Sequence, residues 1–123
     1  MNISNRINTC FIHLKDLEKG KEWYKTVFPF EVAAEGESFL EFKMEGTGLI
    51  LLQSHHDEIQ PLPYSVFFFE TPDVEQAFQE LTEKGIRTDG IQSFPDGMRG
   101  CHVYDPEGNM LLICTAPKFE KVD

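Results

Sequence analysis

Two histidines are the side chains best suited to chemistry in this 123-residue sequence. His13 and His102 each lie in a short segment rich in strand-forming residues. Imidazole acts as a general base near neutral pH, and with a carboxylate such as that of Glu41 it can also ligate a divalent metal ion. A plainer alternative is a pair of histidines that only form hydrogen bonds within the fold. The residue types therefore leave catalysis, ligand contact, metal binding and a structural role open.

The segments that must position these side chains begin with a βαβββ order. Residues 8–14 (NTCFIHL) are typical of a strand, and Asp16 follows as the N-cap of a helix that Pro29 ends. Apolar residues recur in that helix near the helical period. Three strand-like runs follow, at 30–34, 38–44 and 48–53.

The same order returns after a polar segment at 54–63. Residues 64–70 (YSVFFFE) predict a strand, Asp73 caps a second helix, and Gly85 ends it. Strand-like runs follow at 86–93, 100–104 and 110–115. Because a helix and a sheet each bury one face against the other, the repeat predicts an α+β fold of two four-stranded sheets, each covered by one helix.

Composition narrows the class of partner. The formal net charge is −10, which disfavours nucleic acid and anionic membrane surfaces and favours a cationic small ligand. The three cysteines form no CxxC motif, so we expect free thiols in a reducing cytoplasm. Neither a signal peptide nor an apolar run long enough to span a membrane is expected.

Three segments carry a family resemblance: HLKDLEKGKEWYKTVF at 13–28, TPDVEQAFQELTEKGI at 71–86 and YDPEGNMLLI at 104–113. They resemble the vicinal-oxygen-chelate superfamily of glyoxalases, bleomycin resistance proteins and extradiol dioxygenases, over about residues 6–116. The resemblance implies a single domain over 1–123, with module one at about 6–53, a linker at 54–63 and module two at about 64–116. It also implies a half-barrel cleft between the modules and a homodimer.

Members of this superfamily commonly hold a divalent metal with side chains from the first and last strand of each module. Carried over to this chain, those positions are Thr9, Leu51, Tyr64 and Leu112. Leucine cannot coordinate a metal and threonine rarely does, so we expect no metal here. The resemblance then implies a metal-independent small-molecule binding protein of the bleomycin-resistance kind. A glyoxalase-like lyase, isomerase or dioxygenase with a noncanonical Zn, Ni, Mn or Fe site is the alternative.

The resemblance also assigns the residues that contact a ligand. If Thr9 faces the cleft, strand alternation places every second residue there with it. The expected ligand-binding residues are Phe11, His13, Glu41, Tyr64, Phe68, His102 and Tyr104, with His13 and His102 as the catalytic candidates if the protein is an enzyme. The ligand's identity and the occurrence of turnover stay open.

Overall fold

The computed structural model describes residues 2–118 and 121–122, which form two compact units divided between Gln60 and Pro61. Both units have the order βαβββ, as the repeat in the sequence predicts. The elements are β1 (Thr9–Leu14), α1 (Leu17–Val27), β2 (Val32–Glu35), β3 (Phe39–Phe42) and β4 (Gly48–Gln53), then β5 (Phe68–Glu70), α2 (Val74–Glu83), β6 (Gln92–Ser93), β7 (Arg99–Tyr104) and β8 (Met110–Cys114). The α+β class with one helix per four-stranded sheet is thus confirmed.

The two sheets have the same topology. The strand order is β1-β4-β3-β2 in unit 1 and β5-β8-β7-β6 in unit 2. In each sheet the first and last strands of the unit pair in parallel, and the remaining pairs are antiparallel. The parallel pairing requires a crossover, which the helix of each unit supplies.

Helix α1 begins at its predicted N-cap. The Asp16 carboxylate accepts a hydrogen bond from the backbone N–H of Lys19 at 3.2 Å. The side chain of Gln53, at the end of β4, accepts another from the N–H of Leu17 at 3.0 Å. These bonds satisfy donors of the first turn and attach the helix to its sheet.

Helix α2 is capped at both ends. Asp73 accepts from the N–H of Gln76 at 3.0 Å. At the other end Gly85 has a φ of 72°, and the N–H of Ile86 donates to the carbonyl of Leu81. This is the Schellman arrangement, in which the residue after the C-cap has a positive φ that glycine adopts most readily.

Alternation along the strands separates the core from the opposite sheet face. In both units the buried side chains alternate with exposed or half-buried ones, and they pack against the helix. The helix-facing strand residues are Ile12, Leu14, Leu40, Phe42, Leu49 and Leu51 in unit 1, and Phe69, Cys101, Val103, Leu111 and Ile113 in unit 2.

Two predicted strands of unit 2 are much shorter than expected. Residues 64–67 are not in a strand, and β5 begins only at Phe68 because its partner β8 pairs with residues 68–70 alone. The run at 86–93 contains an isolated bridge at Thr88 and the two-residue β6.

No helix within the described residues is long and apolar enough to cross a membrane.

Candidate ligand-binding faces

Each sheet has one face that its helix does not cover, and we call this the helix-free face. In unit 1 a row of directly paired residues crosses it from Phe11 through Ile50 to Glu41, and a second row joins His13, Leu52 and Phe39. Paired residues lie on the same side of a sheet. The structure therefore brings three predicted residues, Phe11, His13 and Glu41, onto one surface.

Unit 1's helix-free face is apolar with a few polar groups. Phe11 is 52% exposed, although it lies in the middle of β1. Its ring is 6.4 Å from that of His13, centroid to centroid. The side chains of His13 and Glu41 have no hydrogen bond or ion pair with any residue that the structure describes. Both polar groups are therefore available to a ligand.

The helix-free face of unit 2 repeats the first row. Phe68 pairs with Leu112, which pairs with His102, and Tyr104 pairs with Met110 beside them. The guanidinium of Arg87 lies 5.5 Å from the centre of the Tyr104 ring, within cation–π distance. Phe68, His102 and Tyr104 thus share a surface, as predicted.

Tyr64 does not share it. The residue lies in the irregular segment before β5, and its side chain is 70% exposed. The prediction assumed a strand over 64–70, in which Tyr64 and Phe68 would have pointed to the same side. The predicted strand is therefore wrong over residues 64–67, and the sheet does not position Tyr64, whose contact with a ligand stays a prediction.

His102 is the best-positioned polar side chain among these residues. Its Nδ1 atom lies 2.7 Å from Oδ2 of Asp89, and its backbone N–H donates to Oδ1 of the same carboxylate at 2.8 Å. The amide of Gln92 donates to Oδ2 at 2.6 Å. The ring of Phe94 stands edge-on to the imidazole at 6.1 Å. Asp89 therefore holds the histidine by both backbone and ring.

A tight turn supplies this carboxylate. Thr88 forms the bridge to Val103, and its hydroxyl accepts from the N–H of Gly90 at 3.1 Å. Gly90 has a φ of 88°, which glycine adopts readily. The chain turns there, and Asp89 meets the edge of β7 at His102. Sequence reasoning missed Asp89, because its position opposite His102 follows only once the register of residues 86–93 against β7 is known.

Two of the metal positions expected from the resemblance shift in the structure. Leu51 is fully buried against α1, and Ile50 is the residue that occupies the place of Leu112 in the repeated row. Similarly, the counterpart of Thr9 in unit 2 is Val66, since each lies two residues before the phenylalanine of that row.

The corrected set does not fit a metal ion. It consists of Thr9, Ile50, Val66 and Leu112, which offers one neutral hydroxyl and three hydrocarbon side chains. Divalent metals in proteins bind carboxylate, imidazole, thiolate or carbonyl donors. Within the described part of the chain, no group of three or more His, Cys, Asp or Glu side chains is placed to hold a metal.

Comparison with known proteins identifies the family. A sequence model of the "Glyoxalase/Bleomycin resistance protein/Dioxygenase superfamily" matches residues 6–113. The chain belongs to this superfamily. The match covers both βαβββ units, so the resemblance seen in the sequence motifs is confirmed. A search of curated proteins found no match.

Solved structures of superfamily proteins share the fold. A glyoxalase/bleomycin resistance protein/dioxygenase from Nocardioides aligns with a TM-score of 0.76 at 18% identity, over 100% of this chain and 91% of that one. Lactoylglutathione lyase from Agrobacterium tumefaciens aligns with a TM-score of 0.78 at 19% identity, over 93% and 96%. A superfamily member from Sphaerobacter thermophilus aligns with a TM-score of 0.75 at 22% identity, over 94% of this chain and 100% of that one. At these identities the likeness shows the fold alone.

Proposed function

We propose that this superfamily member binds a small organic molecule against its helix-free sheet faces, without a metal ion at the superfamily's usual positions. The observation that carries this proposal is the makeup of those faces. Aromatic and aliphatic side chains dominate them, with His13, Glu41 and His102 as separate polar groups. Small-molecule sites have this composition.

The charge of the chain favours a cationic ligand. The net charge is −10, which raises the local concentration of cations near the surface. Phe11 and Glu41 lie in one cross-strand row, so an organic cation there could contact both an aromatic ring and a carboxylate. Amphipathic aromatic cations are thus the class to test first.

Benzyltrimethylammonium is a suitable probe. Titrated into chelator-treated, ¹⁵N-labelled protein, it should shift amide signals of β1, β3 and β4 and raise the melting temperature, because a ligand that binds only the folded state stabilises it. Phe11→Ala should weaken this binding about tenfold, since it removes one exposed aromatic contact worth about 1 kcal/mol or more.

Ile7→Ala is the matched control. Ile7 is 72% exposed but precedes β1, so its truncation should leave probe binding unchanged. Binding that requires an added divalent metal, or that is insensitive to Phe11→Ala, would refute the proposal.

An acid–base lyase or isomerase is the second candidate, and the Asp89–His102 contact of 2.7 Å favours it. In such an enzyme Nε2 of His102 would take a proton from the substrate, and the Asp89 carboxylate would stabilise the resulting imidazolium. S-lactoylglutathione is one substrate to assay, since a lactoylglutathione lyase shares the fold. Turnover lost in His102→Ala but kept in His13→Ala would favour this candidate over simple binding.

Homodimerisation is a further part of the proposal, and it is supported by the superfamily resemblance. Light scattering of the purified chain should give twice the monomer mass of 14.2 kDa.

A further inference from the structure

The Asp89–His102 pair determines which ring nitrogen carries the proton. Both oxygens of Asp89 act only as acceptors: Oδ1 receives the backbone N–H of His102, and Oδ2 receives the Gln92 amide and lies against Nδ1. Nδ1 must therefore be the protonated nitrogen in neutral His102. Nε2 is then left with its lone pair.

That lone pair is open to a ligand. No described residue forms a hydrogen bond with Nε2. Every buried side-chain nitrogen or oxygen in the described chain has a hydrogen-bond partner. Because Nε2 has none, it is not buried and reaches solvent. The imidazole side chain is nevertheless only 14% exposed. It shares the helix-free face of unit 2 with Phe68, Leu112 and Tyr104.

We propose that Nε2 of His102 is the hydrogen-bond acceptor of a ligand site on this face, and that its ligand is an organic ammonium ion with at least one N–H donor and an aromatic body. This inference rests on the proposed small-molecule binding function. Asp89 is a positioning residue, which acts through His102 by fixing its tautomer.

Charge and shape favour an ammonium. In the neutral form of the imidazole, the Asp89 carboxylate behind it makes Nε2 a stronger acceptor for a cationic donor. The ring of Phe68 offers apolar surface to the ligand's body, whereas the Tyr104 ring already contacts the Arg87 guanidinium. A quaternary ammonium has no N–H and cannot form this bond, so the site should discriminate between the two kinds of cation.

The tautomer can be tested without any ligand. Two-dimensional ¹H–¹⁵N long-range correlation spectra should show His102 with its proton on Nδ1. In Asp89→Asn, the amide oxygen must still face the backbone N–H of His102, so the –NH₂ group faces Nδ1 and donates to it. The proton should then move to Nε2, while Gln92 turns its own amide to accept.

His13 is the internal control, because none of the described residues forms a hydrogen bond with its ring. Its tautomer signals should be the same in both proteins, and the remaining amide spectrum should show that Asp89→Asn is folded. An unchanged His102 tautomer in the folded variant would overturn the inference.

Ligand selectivity is the second test, with two aromatic cations of matched shape. At pH 7.5 the wild-type protein should bind 2-phenylethylammonium about tenfold more tightly than its N,N,N-trimethyl derivative, which corresponds to one hydrogen bond with a charged donor. In Asp89→Asn the preference should fall to about twofold or less, because Nε2 then donates rather than accepts.

The failures are distinguishable. Equal binding of both cations to wild type, unaltered by Asp89→Asn, would overturn the hydrogen-bond inference and leave the proposed binding function standing. Failure of both cations and of benzyltrimethylammonium to bind would refute the binding function and this site together.

Discussion

The two units carry the same row of paired residues, but only one row ends in a positioned polar group. Phe11–Ile50–Glu41 in unit 1 corresponds to Phe68–Leu112–His102 in unit 2. Glu41 lies opposite Ala34 of the adjoining strand β2. The strand β6 has only two residues, so the N–H of His102 bonds to the Asp89 carboxylate instead of a strand carbonyl. An interrupted sheet edge has thus created the histidine–carboxylate pair.

The turns before the last strand of each unit also differ in how far polar groups stabilise them. In unit 2 the Asp105 carboxylate accepts from the N–H groups of Glu107 and Asn109, both at 2.9 Å, and from the Asn109 amide at 2.8 Å. Asn109 in turn accepts from the N–H of Leu62. Residues 45–47 of unit 1 form an exposed bend, in which Gly46 has a positive φ. Buried polar bonds therefore stabilise one turn far more than the other.

Removing the buried carboxylate should have the largest effect. Asp105→Ala should lower the free energy of unfolding by about 3 kcal/mol, because it leaves buried N–H groups without an acceptor. In thermal unfolding this corresponds to a fall in Tm on the order of 10 °C. The matched change in unit 1, Glu45→Ala, should alter stability by less than about 0.5 kcal/mol. Equal effects of the two variants would remove the proposed asymmetry between the turns.

The helices offer a second comparison, at the fourth residue after each N-cap. Gly20 occupies that place in α1 and Ala77 in α2, and each donates its N–H to the capping aspartate's carbonyl. A methyl group on Gly20 would clash with Cδ1 of Leu14. In unit 2 the residue corresponding to Leu14 is the smaller Thr71.

Gly20→Ala should therefore destabilise the protein by about 1 kcal/mol, since overpacking outweighs the gain in helix propensity. In a Leu14→Thr background the same change should stabilise by about 1 kcal/mol, because only the propensity gain is left. Urea unfolding of wild type, Gly20→Ala, Leu14→Thr and the double variant measures the effect of Gly20→Ala in each background. A stabilising effect in both backgrounds would show that Leu14 does not limit the space at Gly20.

The thiols should give the smallest effect. Burial raises the pKa of the Cys101 and Cys114 thiols in unit 2. These groups stay protonated in the folded state when the unfolded thiols begin to ionise, near pH 8.5. The stability that they contribute is complete below that pH and is lost as the pH rises toward their folded-state pKa.

Urea unfolding under reducing conditions at pH 7.5 and 9.5 should therefore show a smaller alkaline loss of stability in Cys101→Ala/Cys114→Ala than in wild type. Cys10→Ala is the control from unit 1. An alkaline loss that is the same in wild type and in the double variant would contradict the burial effect on these thiols.

Local sequence signals predicted most of the fold. Asp16, Asp73 and Gly85 mark helix ends through their own side chain or backbone, and alternation in β1 separated Ile12 from Phe11. Combined with the family resemblance, the same alternation placed Phe68, His102 and Tyr104 on one face of the sheet, as the structure has them. These signals act between neighbours in the sequence, so they can be recognised without a tertiary structure.

The errors arose where long-range pairing decides the outcome. Residues 64–67 have strong strand propensity, yet β8 gives them no partner, and Tyr64 stays outside the sheet. Asp89 has an unremarkable sequence context, and its role depends on which residue of β7 it meets. Composition and periodicity do not reveal how residues 64–67 align with β8 or how residues 86–93 align with β7.

The metal content of tag-free protein, purified without chelators and measured by elemental mass spectrometry, tests the central claim most directly. We predict that no divalent metal is present at a level near one ion per chain. We also predict that added Zn²⁺, Ni²⁺, Mn²⁺ or Fe²⁺ leaves the Tm unchanged, because hydrocarbon side chains occupy three of the four expected ligand positions. Near-stoichiometric metal that is lost in His102→Ala or His13→Ala would contradict metal-independent binding and would indicate relocated ligands.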